Sequence, residues 1–202
     1  MATQPAYEVL ARSELPVDTV QLARYLIGKI VIRTTDEGVL SGRIVETEAY
    51  PPGDAASHAY RGQTLRNRVL FQCRGHAYVY LAYGISYMLN VSSEAEGVGA
   101  GVLIRALEPL GGIATMQRNR GVERLRDLAR GPGRLAAALA IDRHLDGADL
   151  CRAAPLWLGR DLEKAPDIGT STRIGLSREA ERLLRFYVRA NAFVSGPKAL
   201  SR

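Results

Sequence analysis

Residues 43–50, RIVETEAY, place two carboxylates and a tyrosine at alternate positions. Successive side chains of a strand point to opposite faces, so Glu46 and Glu48 share one face of a strand, and Ile44 and Tyr50 lie on that face too. Two carboxylates beside an aromatic ring can supply a general base with an aromatic wall. A solvated strand face explains the same pattern. Alternation does not choose between Glu46 and Glu48.

A second segment, residues 78–87, holds four of the nine tyrosines. Tyr78 and Tyr80 lie on one face of a strand, and Tyr83 precedes Gly84, a position that suits a side chain exposed at a turn. Aromatic side chains stack on flipped or unpaired bases, and a wedge residue can fill a gap in a base stack. Core tyrosines with satisfied hydroxyls are the alternative.

Other motifs limit the chemistry. His58 follows the acidic strand in a loop, where a site role is plausible. His-x-Glu with Cys-x-x-Cys, the phosphate-binding Gly-x-x-x-x-Gly-Lys-Ser/Thr and Gly-x-Ser-x-Gly are all absent, which argues against a zinc deaminase, a P-loop enzyme and an α/β-hydrolase. Cys73 and Cys151 show no metal-ligand spacing and are too few for a disulfide framework. We expect no metal and no cofactor.

The charge points to a polyanion. The net charge is +6, and the lysines are only Lys29, Lys164 and Lys198, so nearly all the positive charge is arginine. A basic balance suggests phosphate neutralisation, and the arginine fork suits bidentate phosphate contacts. A biased genome composition would produce the same arginine excess. The charge alone therefore leaves both interpretations open.

Composition limits the class of protein. The 202 residues are 47% hydrophobic and 24% charged, as in soluble globular proteins, and we expect one domain over residues 1–202. No apolar run reaches about 18 residues, so we expect no membrane span. Residues 1–10 lack the pattern of a signal peptide. Together with the two cysteines, this predicts a reduced, cytoplasmic protein.

The elements that must position the candidate residues follow from hydrophobic periodicity and turn residues. Helices are predicted over residues 15–26 and 134–141. Residues 66–71 fit a short helix or a strand, and residues 115–130 fit a polar helix or a mobile loop. Strands are predicted over residues 29–34, 40–50, 77–82, 101–108, 156–158, 172–176 and 185–189.

The order of these elements predicts the fold class. Residues 36–38, Asp-Glu-Gly, are a turn signal between two strand-like segments, which indicates a hairpin. Hairpins with helices at either side are typical of an α+β protein. We therefore expect a single α+β domain with a curved, largely antiparallel β-sheet core flanked by helices.

Five ordered blocks resemble one known family, the alkyladenine (3-methyladenine) DNA glycosylases. The first is RIVETEAY with the loop to His58 and Arg-Asn-Arg at 66–68. The remaining blocks are YVYLAYG at 78–84 with NVSS at 90–93, VLIRALEP at 102–109, RGPGRL at 130–135 and LRFYVR at 184–189. The similarity extends, with gaps, from the N-terminal helix to about residue 195, and five blocks in order are far more specific than any single one.

The resemblance implies a role for individual residues. Glu48, rather than Glu46, matches the base that activates water, and Arg105 matches the arginine that helps to place that water. The remaining implied residues are the pocket aromatics Tyr50, His58 and Tyr80, the pocket-floor residue Asn90 that excludes guanine, the minor-groove wedge Tyr83, and the DNA-backbone contacts Arg61, Arg66 and Arg134.

The implied activity is monofunctional base excision. Such an enzyme flips an alkylated or deaminated purine, of the 3-methyladenine or hypoxanthine type, out of double-stranded DNA and hydrolyses its N-glycosidic bond, leaving an abasic site. No lysine lies in the candidate segments to form a Schiff base, so we expect no strand cleavage. Without a heptad seam we expect a monomer. The alternatives are a non-catalytic nucleic-acid-binding module with the same tyrosines and arginines, and a structural protein with core tyrosines.

Overall fold

The computed structural model of the protein describes residues 7–160 and 166–196, so Lys164 and Lys198 lie outside the described residues. Short 3-10 turns occur at Arg12–Glu14, Arg68–Phe71 and Arg143–Leu145. The helices are α1 (Thr19–Leu26), α2 (Ile113–Arg120), α3 (Leu125–Leu128) and α4 (Pro132–Ala138). The strands are β1 (Glu8–Val9), β2 (Ile30–Thr35), β3 (Gly38–Tyr50), β4 (Ala77–Ala82), β5 (Ser86–Ser92), β6 (Gly101–Gly111), β7 (Leu156–Arg160), β8 (Ile168–Ser171) and β9 (Arg185–Val188).

Helix α1 shows why its sequence forms a helix at this place. The Asp18 side chain accepts a hydrogen bond from the backbone N–H of Gln21 at 2.8 Å, which caps the first turn. Leu22 and Leu26 recur at helical spacing and are fully buried. Gly28 follows with a φ of 88°, a conformation that glycine adopts without strain. The predicted start at residue 15 is too early, because Asp18 takes the capping position.

The strands form one antiparallel sheet in which β3 is central. The order is β1-β7-β2-β3-β6-β5-β4, and all pairings are antiparallel. One edge of β3 pairs with β6, whereas the other edge pairs first with β2 and then, over residues 46–48, with β9. Strand β8 pairs with β9. The sheet thus divides along β3 and curves, as the predicted α+β fold requires.

A β-bulge lies in the middle of β3. The register with β6 shifts on both sides of Glu46, and such a shift re-aims the neighbouring side chains. Ile44 belongs to the main cluster of buried apolar residues, whereas Val45 belongs to a second, smaller cluster. The prediction that Ile44 shares a face with the carboxylates is therefore wrong. Glu46 and Glu48 do share a face, since Arg105 forms ion pairs with both.

The two faces of strands β3 to β6 have different partners. One face packs against the buried side chains of α1 and α4 in the main apolar cluster, and its members include Ala49, Val79, Leu89, Val91, Val102 and Ile104. The residues that alternate with them point to the other face. These are Glu48, Tyr78, Asn90 and Leu103, so strand alternation separates the core from the candidate site.

Most predicted elements are confirmed, with shifted ends. Residues 77–82 form β4 as predicted, and the 66–71 segment contains a 3-10 turn. The 115–130 segment is polar helix, in the form of α2 and α3. Strand β5 is absent from the prediction, since its serines and asparagine have low β-propensity and its pairing with β4 and β6 supplies the strand. No helix in the described part of the chain combines the length and the apolar character needed to cross a bilayer.

The predicted strand over residues 172–176 is wrong. Strand β8 ends at Ser171, and the chain after it leaves the sheet. The backbone N–H of Ile174 donates to the Glu48 carboxylate at 2.7 Å, and the Arg173 side chain is buried against Asp54. The Ile174 N–H is therefore satisfied by a side chain and not by a strand ladder.

Two glycines flank helix α2, one of them crowded by strand β3 and the other in open space. Gly112 and Gly121 both have left-handed φ, 71° and 62°. A Cβ at Gly112 would stand 2.9 Å from the Val39 carbonyl oxygen and 3.1 Å from the Leu40 Cα, whereas a Cβ at Gly121 would meet nothing within 4 Å. The backbone strain is the same at both sites, so only the crowding differs.

We predict that Gly112→Ala lowers the free energy of unfolding by about 1–3 kcal/mol more than Gly121→Ala does, the usual range for overpacking. Gly121→Ala itself should cost about 1 kcal/mol, from the left-handed backbone alone. Urea unfolding of the two variants measures the difference. Equal losses would mean that the start of β3, at Val39 and Leu40, moves away without cost.

Candidate active site

The register of the sheet brings two of the candidate side chains, Glu48 and Asn90, into one row with Leu103 and Tyr78. Glu48 pairs with Leu103, Leu103 pairs with Asn90, and Asn90 pairs with Tyr78. The row crosses β3, β6, β5 and β4 on the face away from the core. Neighbouring strands lie about 4.8 Å apart, so the row spans roughly 14 Å from end to end.

A cavity of about 240 Å³ is lined by three members of this row, Tyr78, Asn90 and Leu103, whereas Glu48 and Arg105 lie behind its wall. Tyr50, His58, Tyr80, Asn90 and Tyr83, predicted as pocket and wedge residues, all line it. The remaining lining residues are Ala56, Ser57, Leu70, Tyr78, Gly101, Leu103 and Leu176. The volume is slightly below the roughly 300–1,000 Å³ of sites for drug-sized ligands, which suits a single base.

Glu48 is fully buried and has hydrogen-bond donors on both carboxylate oxygens. Its Oε2 accepts from the Tyr50 hydroxyl at 2.9 Å and lies 3.2 Å from the Arg105 guanidinium. Its Oε1 accepts from the Ile174 N–H at 2.7 Å. An ionised carboxylate has about four acceptor positions, so three donors leave one position of Glu48 open.

Glu46 is equally buried, but its surroundings differ. Its Oε1 accepts from Arg105 at 3.2 Å, from Arg185 at 2.5 Å and from the Ser195 hydroxyl at 3.0 Å. Its Oε2 accepts from the Ser195 N–H at 2.7 Å. Three of the four donors share Oε1, and none of the donor residues of Glu46 lines the cavity. Arg105 joins the two carboxylates.

The aromatic walls contact one another closely. The rings of Tyr78 and Tyr80 stack with centroids 5.3 Å apart, and the His58 ring meets Tyr80 edge-on at 4.5 Å. The Nδ1 atom of His58 forms a hydrogen bond with the Tyr78 hydroxyl at 3.0 Å. Burial, together with the nearby Arg66 charge, lowers the pKa of His58. His58 is therefore a neutral imidazole at physiological pH.

The hydroxyls of the cavity tyrosines stay protonated. Burial, followed by the charge and the hydrogen bond of Glu48, raises the pKa of Tyr50. Burial raises the pKa of Tyr78 to about 12 and shifts the pKa of Tyr80 in the same direction. These tyrosines can donate hydrogen bonds but do not supply a base.

Tyr83 stands at the tip of the hairpin between β4 and β5. It is 93% exposed and has a left-handed φ of 51°. Gly84 follows it with a φ of 69°, and Ile85, which is 83% exposed, completes the turn. Tyr83 and Ile85 together form an exposed apolar patch at the hairpin tip, and contiguous apolar patches mark surfaces that bind a partner.

The predicted DNA-backbone arginines are all exposed. Arg61 and Arg66 belong to the loop after His58, and Arg134 lies on α4. The Arg66 guanidinium also lies 5.7 Å from the centre of the Tyr80 ring. Arg134 lines a second groove, together with Arg120 and the hairpin residue Ile85. Basic side chains therefore lie beside both the cavity and the hairpin tip.

Several residues at the site were outside the sequence prediction. Arg185 and Ser195 donate hydrogen bonds to Glu46. Asp54 and Arg173 form a buried ion pair behind Tyr50. The sequence does mark Arg185, because a charged residue at the start of the apolar strand RFYV needs an oppositely charged partner if the strand is buried. No local pattern marks Ser195, since its partner on β3 is 149 residues away.

The described residues contain no group of three His, Cys, Asp or Glu side chains arranged to hold a metal ion. Lys29, the only lysine among them, lies over the Tyr25 ring at 4.7 Å and does not line the cavity. The absence of strand cleavage stays a prediction.

Comparison with known proteins identifies the class. The chain is 72% identical over 191 residues to a protein of Mesorhizobium japonicum, a match that covers 95% of this chain and 92% of the relative. It is 53% identical over 191 residues to a protein of Paraburkholderia phytofirmans, covering 95% and 90% of the two chains. Both relatives carry the name "Putative 3-methyladenine DNA glycosylase". The class is that of the DNA glycosylases, enzymes of base-excision repair that hydrolyse N-glycosyl bonds.

The family can be stated more narrowly. The sequence model of the family described as methylpurine-DNA glycosylase (MPG) matches residues 13–192. This range covers most of the chain, and the chain belongs to the methylpurine-DNA glycosylase family. The resemblance drawn from the five sequence blocks is thereby confirmed. The alternatives of a non-catalytic binding module and of a structural protein do not fit an enzyme family.

We predict that Glu46→Gln lowers the free energy of unfolding by roughly 3–5 kcal/mol, the cost of leaving buried charges without their partner. The substitution removes the charge that Arg105 and Arg185 share. Glu108→Gln is the matched control, because Glu108 pairs with Arg43 at 3.0 Å but is partly exposed. The control should lose no more than about 1 kcal/mol in urea unfolding. A similar loss for both variants would mean that the buried ion pairs of Glu46 add no more stability than a partly exposed pair.

Proposed function

We propose that the enzyme flips an alkylated or deaminated purine, of the 3-methyladenine or hypoxanthine type, out of double-stranded DNA. It then hydrolyses the N-glycosidic bond with a water that Glu48 activates, and leaves an abasic site. The observation that carries the proposal is the single row in which a buried carboxylate lies beside a base-sized cavity lined by tyrosines. The enzyme acts as a monomer in the cytoplasm and needs no cofactor.

Glu48 is the base because it bonds to Tyr50 and pairs with Leu103, which both line the cavity, whereas none of the donor residues of Glu46 lines it. The Arg105 guanidinium, within 3.2 Å of Glu48, helps to place the water. As the glycosidic bond breaks, positive charge develops on the sugar, and the carboxylate stabilises it. Water activation and charge stabilisation thus come from one side chain.

Tyr50, His58 and Tyr80 grip the flipped base. Their rings line the cavity, and electron-poor cationic purines such as 3-methyladenine are attracted to aromatic faces. A neutral His58 adds no positive charge that would repel them. Asn90 forms the floor: its amide donates to the Tyr78 carbonyl at 3.2 Å, which holds the side chain where the 2-amino group of guanine would collide with it.

Tyr83 fills the gap that the flipped base leaves in the stack. Its ring is exposed at a hairpin tip whose turn is already in place, so insertion requires no refolding of the turn. Arg61, Arg66 and Arg134 contact phosphates on the DNA backbone, a sequence-independent contribution to binding. This arrangement favours duplex over single-stranded substrate.

The central test is Glu48→Gln. The variant loses the negative charge but keeps the size of the side chain, so we expect excision at least roughly a hundredfold slower than in the wild type. Binding to lesion-containing duplex should stay near normal, because stacking and phosphate contacts supply the affinity. Single-turnover release of 3-methyladenine and of hypoxanthine, with enzyme in excess, measures the rate.

Glu108→Gln is again the matched control for this test. It is the same substitution at an ion-paired carboxylate of the neighbouring strand, outside the cavity lining. It should excise at the wild-type rate. If Glu48→Gln kept full activity, the water would be activated by another group, and the role given to the row would be wrong.

A second test concerns Tyr83. Flipping costs a few kcal/mol of stacking and pairing, and the wedge offsets part of this cost. Tyr83→Ala should therefore weaken binding to lesion duplex and slow excision from it. The same variant should lose much less on a lesion in single-stranded or mismatched DNA, where little stacking has to be broken. An equal loss on all these substrates would argue against insertion.

A further inference from the structure

A buried ion pair lies behind the cavity wall, between the loop after β3 and the segment after β8. The side chains of Asp54 and Arg173 are both completely buried. Arg173 Nη1 donates to Asp54 Oδ2 at 2.5 Å, and Nη2 donates to Oδ1 at 3.2 Å, a bidentate arrangement. The pair therefore joins two segments that are 119 residues apart.

Arg173 also contacts Ala49 and Tyr50, the last two residues of β3. Its guanidinium carbon lies 4.6 Å from the centre of the Tyr50 ring. Its Nη1 donates to the Ala49 carbonyl at 3.0 Å, in the peptide unit that joins Ala49 to Tyr50. Arg173 does not line the cavity, so it covers a side of Tyr50 that the cavity does not use.

The residue after Arg173 completes the link to the carboxylate. The Ile174 N–H donates to Glu48 Oε1 at 2.7 Å, and the Tyr50 hydroxyl donates to Glu48 Oε2 at 2.9 Å. Two of the three donors to Glu48 are thus held by Arg173, one through the backbone and one through the tyrosine ring. The third donor, Arg105, is held separately by Glu46.

We propose that Arg173, fixed by Asp54, is a positioning residue that holds Tyr50 and the Ile174 N–H against Glu48 and so sets the geometry in which Glu48 activates water. The inference rests on the proposed function of Glu48. Arg173 touches neither the base nor the water in this arrangement, and acts only through its two neighbours.

The energetics of the pair favour this role over simple stabilisation. Burying two charges costs solvation that their attraction often fails to repay, so a buried ion pair is weak evidence for stability. In addition, the Nε of Arg173 is buried without a hydrogen-bond partner, which is a further cost. The flat guanidinium fork is needed here because it stacks on a ring and grips a carboxylate at once, which a lysine ammonium does not do.

The test is Arg173→Lys, which retains the charge but loses the fork and the flat stacking surface. We expect the rate of single-turnover excision of hypoxanthine from duplex DNA to fall roughly 10–100-fold. This is the range found when an outer partner that orients a metal-binding side chain is removed. Affinity for abasic-site duplex should change less than about threefold, since the DNA contacts are intact. With fewer hydrogen bonds to the ionised carboxylate, the acidic limb of the pH–rate profile should move to higher pH.

Arg182→Lys is the matched control. Arg182 also forms an ion pair with Asp54, at 3.5 Å, but its side chain is 38% exposed. The guanidinium that stacks on the Tyr50 ring is that of Arg173, not that of Arg182. The excision rate and pH profile of Arg182→Lys should match those of the wild type. Asp54→Asn is the second variant, which keeps an acceptor for the guanidinium while removing the charge. For Asp54→Asn we expect a smaller loss of excision rate than for Arg173→Lys, with the acidic limb of the pH–rate profile shifted in the same direction.

The outcomes separate the inference from the function on which it rests. Wild-type activity in Glu48→Gln would overturn the proposed function. An inactive Glu48→Gln together with an unchanged rate and pH profile in Arg173→Lys would overturn only the positioning role, and a lower melting temperature alone would then make Arg173 a purely structural residue. If Arg173→Lys fails to fold, Asp54→Asn decides by the same two readouts.

Discussion

The burial of two carboxylates on one strand is the constraint from which the rest of the site follows. Glu46 and Glu48 are both inaccessible to solvent, and buried negative charges need partners. The partners are Arg105 from β6 and Arg185 from β9. Strand β3 must therefore be paired on both edges at this point, which explains why β9 returns from the end of the chain to its side.

The same constraint separates the two carboxylates. Glu46 is held by side chains and backbone that arrive from β9 and the segment after it, away from the cavity. Glu48 has a tyrosine, a backbone N–H and one arginine, and the tyrosine lines the cavity. The donors of one carboxylate thus belong to the fold, whereas those of the other include a wall of the cavity.

The local part of this arrangement could be predicted from the sequence. Strand alternation correctly put Glu46 and Glu48 on one face of their strand and Tyr78 with Tyr80 on one face of theirs. It failed at Ile44, because a bulge is a property of two strands and leaves no mark in one. It also could not rank Glu46 against Glu48, because the difference lies in Arg185 and Ser195, which are 139 and 149 residues away. The arginine excess was ambiguous for a related reason: Arg120, Arg126 and Arg130 each donate to a carbonyl of the chain itself, so part of the positive charge serves the fold.

The cross-strand row from Glu48 to Tyr78 limits how such an enzyme can acquire a new preference. Its members are separated by whole strand spacings of about 4.8 Å, so the distance between two of them can change only by a whole spacing. A change of one methyl group in the accepted base is far smaller than one step. Small differences in substrate range therefore have to arise in the loop of residues 51–66 and at the hairpin tip, where backbone can shift by fractions of a strand spacing. Randomised libraries aimed at altered lesions are best confined to those two segments, with the row itself left untouched.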